Sequence, residues 1–219
     1  MRILFILSLC LIFGSCVDIF DEIMIHTDGS GTYKYTVNLS ASKVKINSIL
    51  ALDSVDGKRV PKLPEIKDRI EEYRKKLEDK DGISNVKVDA NYDDFLFKIS
   101  LDFESVAALQ AGIKEIIKEN IEDKNEPSLN ENWLTWDGKN LVRSIPNFKN
   151  FVLKLKPEDQ EKLKEGKYNA VSRFDKAVIK CDNSEALISP SKTAVLIKSN
   201  TYNVATNPTV MKSTIQVAN

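Results

Sequence analysis

Histidine, cysteine and glycine are scarce: the 219 residues include one histidine, three cysteines and eight glycines. A single histidine, His26, rules out multi-histidine metal sites and leaves any histidine-dependent triad resting on one position. Cys10 and Cys16 fall in or at the edge of an apolar leader, so Cys181 is left as the one candidate free thiol of the remaining chain. Neither an intramolecular disulfide, a CxxC redox pair nor a cysteine zinc site is then expected. GxGxxG, GxxxxGK[ST], HExxH, GxSxG and EF-hand patterns are absent, which removes direct support for nucleotide, zinc-peptidase, hydrolase-elbow and calcium-loop chemistry. Charge lacks a dominant sign as well. Thirty-two basic residues balance 32 acidic ones without basic blocks, which disfavours a nucleic-acid partner, because phosphate binding depends on a concentrated basic surface.

What is present begins at the N-terminus, "MRILFILSLCLIFGSC". The apolar run from Ile3 to Phe13 follows one positive charge, Arg2, and falls short of the roughly 20 residues a spanning helix needs. Residues 1–15 therefore read as a signal peptide. Phe13, Gly14, Ser15 and Cys16 resemble the lipobox of bacterial lipoproteins, with Phe13 where leucine is commoner. That resemblance implies a Cys16 thiolate that forms a thioether with a diacylglyceryl group and becomes the first mature residue. It also implies an address in the bacterial cell envelope, at the outer membrane if the cell has one.

The pattern after Cys16 predicts an α+β fold: an antiparallel sheet with helices packed on one face, followed by a strand-rich C-terminal part. Residues 16–120 read as the α+β domain, 121–132 as a linker or surface excursion, and 133–219 as strands that pack on or extend the first sheet. "DGSG" is a turn between two strands. In the second of these, Tyr33, Tyr35, Val37 and Leu39 alternate with polar residues, so one face is apolar and the other wet. Val44, Ile46, Ile49 and Leu50 suggest a short helix, and Ile66, Ile70, Tyr73 and Leu77 a longer one that begins near Pro64 and ends at Gly82. "FLFKISLDF" places Phe95, Phe97, Ile99, Leu101 and Phe103 on one face, the strongest core signal in the chain. Ser105 caps a helix with a stripe of Val106, Leu109, Ile113 and Ile116. "WLTWDGKNLVRSI" reads as two short strands, the lysine-rich stretch from 147 to 166 as part helix, and "YNAVSRF", "EALIS", "TAVLIKS" and "TVMKSTIQV" as further strands. Nothing after Cys16 is long and apolar enough for a second membrane segment.

The chemistry-bearing residues read as structural. His26 ends a strand beside a tight turn, where a hydrogen-bonded role is expected, and Cys181 lies in a strand-like run as a small buried hydrophobe. Asp93 and Asp94 are adjacent on a turn, so their carboxylates do not converge. Trp133 and Trp136 are the candidates for lining a ligand site, although hairpin core packing is the simpler account of both.

Three stretches, "HTDGSGTYKYTVNLS", "YDDFLFKISLDFESVAAL" and "SRFDKAVIKCDNSEALISPSKTAVLIKS", resemble a family of bacterial lipoproteins, the LppM-like lipoproteins. The resemblance implies an α+β domain held at an envelope membrane, with an apolar-ligand or lipid-binding role and no catalytic residues to carry over. The expectation is a noncatalytic envelope lipoprotein without metal or cofactor, anchored through lipid on Cys16, that binds a lipid, another apolar molecule or an envelope protein partner. The alternative is a surface enzyme acting on glycan or peptidoglycan through paired carboxylates, whose oxygens would need a cleft and a spacing of about 5 to 9.5 Å.

Overall fold

The computed structural model describes residues 17–55, 57–120 and 130–219. Cys16 and the signal peptide, and most of the expected excursion at 121–132, lie outside the described residues. Strand β1 (Asp18–Ile25) alternates: Ile19, Asp21, Ile23 and Ile25 share one face, and Ile23 and Ile25 are almost fully buried. Its hairpin partner β2 (Gly31–Asn38) sets Tyr33 opposite Ile23 and Gly31 opposite Ile25. Gly29 makes the turn with φ 88°, a conformation glycine adopts without a Cβ penalty. Gly31 is required for a different reason, since a Cβ there would lie 1.8 Å from the Met24 carbonyl oxygen.

Helix α1 (Lys43–Leu50), the small hairpin of β3 (Ser54–Val55) and β4 (Lys58–Arg59), and helix α2 (Leu63–Glu78) follow. Pro64 lies in the first turn of α2, and Gly82 just beyond its end has φ 74°. Strands β5 (Ile83–Asn91) and β6 (Leu96–Phe103) form a second hairpin on the edge of β2, and helix α3 (Val106–Asn120) starts on a cap in which Ser105 Oγ accepts from the Ala108 amide. Then come β7 (Leu134–Trp136), β8 (Asn140–Arg143), the short helices α4 (Lys149–Val152) and α5 (Pro157–Leu163), β9 (Lys167–Phe174), β10 (Val178–Cys181), β11 (Leu187–Ile188), β12 (Ala194–Asn200), α6 (Thr201–Thr206) and β13 (Ser213–Val217).

These strands make a seven-stranded sheet of order β11-β12-β9-β1-β2-β6-β5 and an antiparallel four-stranded sheet of order β10-β13-β8-β7. The fold class is α+β, as the pattern predicts. The larger sheet is mixed, because β9 lies parallel to β1, with Asp18 opposite Lys167 and Ile25 opposite Phe174. The segments before 120 and after 133 thus share one sheet. Ile23, Ile25, Leu101 and Phe103 from this sheet meet Leu109 of α3 and Leu141, Ile215 and Val217 of the smaller sheet in a single core. Helices and the second sheet therefore cover one face, and the opposite face carries Glu22, Lys34, Lys98 and Arg173.

Three local expectations change. Phe95 precedes β6 with φ 52° and turns into a second, smaller core with Val17, Leu39 and Ile46. The cause is the turn before it, where Asn91 Oδ1 accepts from the Asp93 and Asp94 amides while Leu39 N donates to the Phe95 carbonyl. Val44 leaves the α1 stripe and is 81 % exposed, since a helix of two turns buries only Ile46 fully. "TVMKSTIQV" is not one strand. Pro208–Met211 form a 3-10 turn, and β13 starts only at Ser213.

Candidate functional site

The densest polar constellation lies between the two sheets. Asp21 is on the apolar face of β1 and Arg143 on the inward face of β8, and both are buried. Arg143 Nη2 stands 2.8 Å from Asp21 Oδ1 and donates to the Asp21 carbonyl at 2.9 Å. Its Nη1 donates to the Val171 carbonyl at 3.0 Å and to Ser172 Oγ at 2.8 Å. Tyr168 Oη donates to Asp21 Oδ2 at 2.6 Å. One guanidinium therefore ties β8 of the small sheet to β1 and β9 of the large one.

The electrostatics of this cluster oppose proton transfer near neutral pH. Burial first, and the charge of Asp21 second, push the Tyr33 and Tyr168 hydroxyls well above the ordinary phenol value. For Arg143 burial is the largest influence and works against its charge. Asp21, Tyr168 and Tyr33 together outweigh it, so its pKa is raised. The phenols stay protonated and the guanidinium stays charged, an arrangement suited to locking two sheets together.

A surface groove of about 590 Å³ opens on the side formed by the β10–β11 connection, β12 and the 3-10 turn, with Asp182, Glu185, Lys198, Asn203, Thr209 and Lys212 among its walls. Asn183 Nδ2 donates to the Val210 and Lys212 carbonyls at 3.1 and 2.9 Å, and Asp182 Oδ1 accepts from the Thr214 amide. Two of its polar side chains thus brace the wall. The groove is open and polar, a form suited to a polar partner surface and unlike an enclosed acyl-chain cavity.

The residues singled out by the sequence are scattered. Trp133 is 4 % exposed, its backbone amide donating to Gln110 Oε1 at 2.9 Å and the Lys114 ammonium lying 5.8 Å from its ring centre. Trp136 is half-buried and stacks on Phe174 with centroids 6.1 Å apart. Its ring also lies against the turn, where Trp136 Cδ1 would be 3.2 Å from a Cβ on Gly29. Both tryptophans lie in packing positions, and neither is among the groove residues.

His26 is exposed beside the first turn, its Nδ1 3.8 Å from Asp175 Oδ2, while the Thr27 amide and hydroxyl both donate to Asp175. Asp175 is partly desolvated, which raises its pKa, but the Thr27 hydrogen bonds and His26 leave it below the ordinary carboxylate value. Cys181 is half-buried against the main core, and burial raises its thiol pKa, so it lacks the thiolate character of a reactive cysteine. Asp94 pairs with Lys43 at 2.8 Å, and Asp93 stays in the turn. Among the described residues no group of three His, Cys, Asp or Glu side chains is placed to hold a metal ion.

The Asp21–Arg143 lock was missed by sequence reasoning, yet a signal existed. Asp21 is in phase with Ile19, Ile23 and Ile25, and Arg143 with Leu141, so each charge stands on an apolar strand face. Two such misplaced charges of opposite sign are a pairing signal.

No protein-family model matches the chain, and no curated protein matches it. Among solved structures, the folded domain of the Mycobacterium tuberculosis LppM protein, determined by NMR, is similar with a TM-score of 0.49 and 13 % identity, over 93 % of this chain and 91 % of that domain.

Proposed function

We propose that this protein is a noncatalytic, lipid-anchored lipoprotein of a bacterial cell envelope that contacts a polar partner, most simply another envelope protein, through the open groove beside β12. The observation that carries the reading is "LIFGSC" followed at once by Val17, a residue already 4 % exposed and held in the fold. The short apolar run and the small residues before the cysteine are the pattern that acylation and cleavage at Cys16 require. The open groove supports a protein partner over an enclosed lipid.

The competing reading, glycan hydrolysis through paired carboxylates, would draw its acids from the same groove, where Asp182 and Glu185 stand. Asp182 is engaged by the Thr214 amide as part of the wall, which favours a structural duty for it. Replacing Cys16 with alanine tests the anchor. The variant is expected to leave the membrane fraction or accumulate as uncleaved precursor, because a multiply acylated terminus gains about 0.8 kcal/mol per buried CH₂. A variant that stays membrane-bound with its signal removed would overturn the reading.

A further inference from the structure

Strand β1 starts at Asp18, with only Val17 between it and Cys16. Val17 is buried in the smaller core, and its carbonyl accepts from the Lys167 amide at 3.0 Å. Consecutive Cα atoms lie about 3.8 Å apart across a trans peptide, so a lipid on Cys16 has no tether and the end of the fold that holds Val17 must meet the headgroups. The register identifies that end. Asp18 is opposite both Asn38 and Lys167, so β2 leaves and β9 enters there. Helix α1 follows β2, α5 precedes β9, and α6 joins them where Thr201 N donates to the Gly166 carbonyl at 3.1 Å. Helix α4 packs on α6.

The surface at this end suits an anionic bilayer. Val44 on α1 is 81 % exposed and Leu153 after α4 is 54 % exposed. From Asn147 to Pro157 the chain has no acidic residue but carries Lys149, Lys154 and Lys156, all three exposed. Of the three acids in α5, Asp159 is buried and Glu161 pairs with Lys164, which leaves Glu158 as the exposed acid beside Lys156. Exposed aliphatic side chains among lysines are the composition of an interfacial contact, in which the apolar groups enter the headgroup layer and the ammonium groups meet phosphates.

We infer that the end of the fold formed by α1 and the segment from Lys149 to Lys156 rests directly on an anionic lipid surface, Val44 and Leu153 entering it, so that the molecule stands in a fixed orientation with the β1–β2 turn pointing away. This inference rests on the anchor at Cys16. To test it, the full chain with Cys181→Ser is purified from bacterial membranes and returned to vesicles of phosphatidylglycerol and phosphatidylethanolamine. An environment-sensitive fluorophore is placed in turn at Val44→Cys, Leu153→Cys and, in the β11–β12 turn at the opposite end, Ser191→Cys. A nitroxide on the lipid should quench the first two labels severalfold more than the third. The difference should shrink when phosphatidylcholine replaces the anionic lipid or when Lys149 and Lys154 become glutamine. Incorporation of labelled palmitate at Cys16 is measured on the same samples. Acylated Cys16 with equal quenching at all three sites, or strongest quenching at Ser191→Cys, would overturn the orientation alone. Absence of acylation would overturn the anchor reading and the orientation with it.

Discussion

At the scale of single residues, the greatest energetic consequence belongs to Arg143. Its charge is buried against Asp21, and such a pair costs desolvation that only complete hydrogen bonding offsets. Replacing Arg143 with methionine should cost about 3 to 5 kcal/mol in chemical denaturation, because it strands the Asp21 carboxylate in the core. A second change, Asp21→Asn, should recover part of that loss, and a purely additive double-mutant cycle would deny the coupling. The phenols supply a pH signature. Tyr168 and Tyr33 have folded pKa values raised above their ordinary value, so the protonated form is favoured by folding. Their contribution is complete below the ordinary phenol value of about 10 and is lost as pH rises through the higher folded value. Stability measured from neutral to strongly alkaline pH should fall above about pH 10, less steeply in Tyr168→Phe. An unchanged slope would remove Tyr168 from the linkage.

At the scale of elements, legibility followed local periodicity. Tyr33, Tyr35 and Val37 announce β2 because every second side chain turns to the covered face, Tyr33 against the main core and Val37 against the smaller one, and Val106 and Leu109 announce α3 through helical spacing and the Ser105 cap. Phe95 was misleading because its backbone turns before the strand begins, and Val44 because a short helix has room for few buried positions. The "FLFKISLDF" face is also graded: Leu101 and Phe103 are 3 % exposed, whereas Phe97 and Ile99 are half-buried, Phe97 against the smaller core. Phe103→Ala should therefore cost about 3 to 5 kcal/mol in denaturant unfolding, and Phe97→Ala clearly less. Equal losses would mean that the two cores are one energetic unit.

At the scale of the whole molecule, alternation within strands cannot reveal which strands become neighbours. The parallel β1–β9 pair joins residues separated by most of the chain, and Arg143 reaches back to Asp21 from the second sheet. Neither contact is local, so the sequence left open whether the later strands pack on the first sheet or extend it, and the parallel pairing of β9 with β1 was not legible. A fragment of residues 17–120 should fail to unfold cooperatively, since it lacks the strand beside β1 and the partner of Asp21; a sharp transition close to that of the full chain would show that the first segment is independent. The candidate anchor was legible for the opposite reason, being written in a short contiguous run that ends at Cys16. The most direct measurement is mass spectrometry of the N-terminal peptide from membrane-extracted protein. The account predicts a peptide beginning at Cys16 and carrying a diacylglyceryl thioether, whereas a free Cys16 thiol, or a terminus cut elsewhere in the leader, would contradict it.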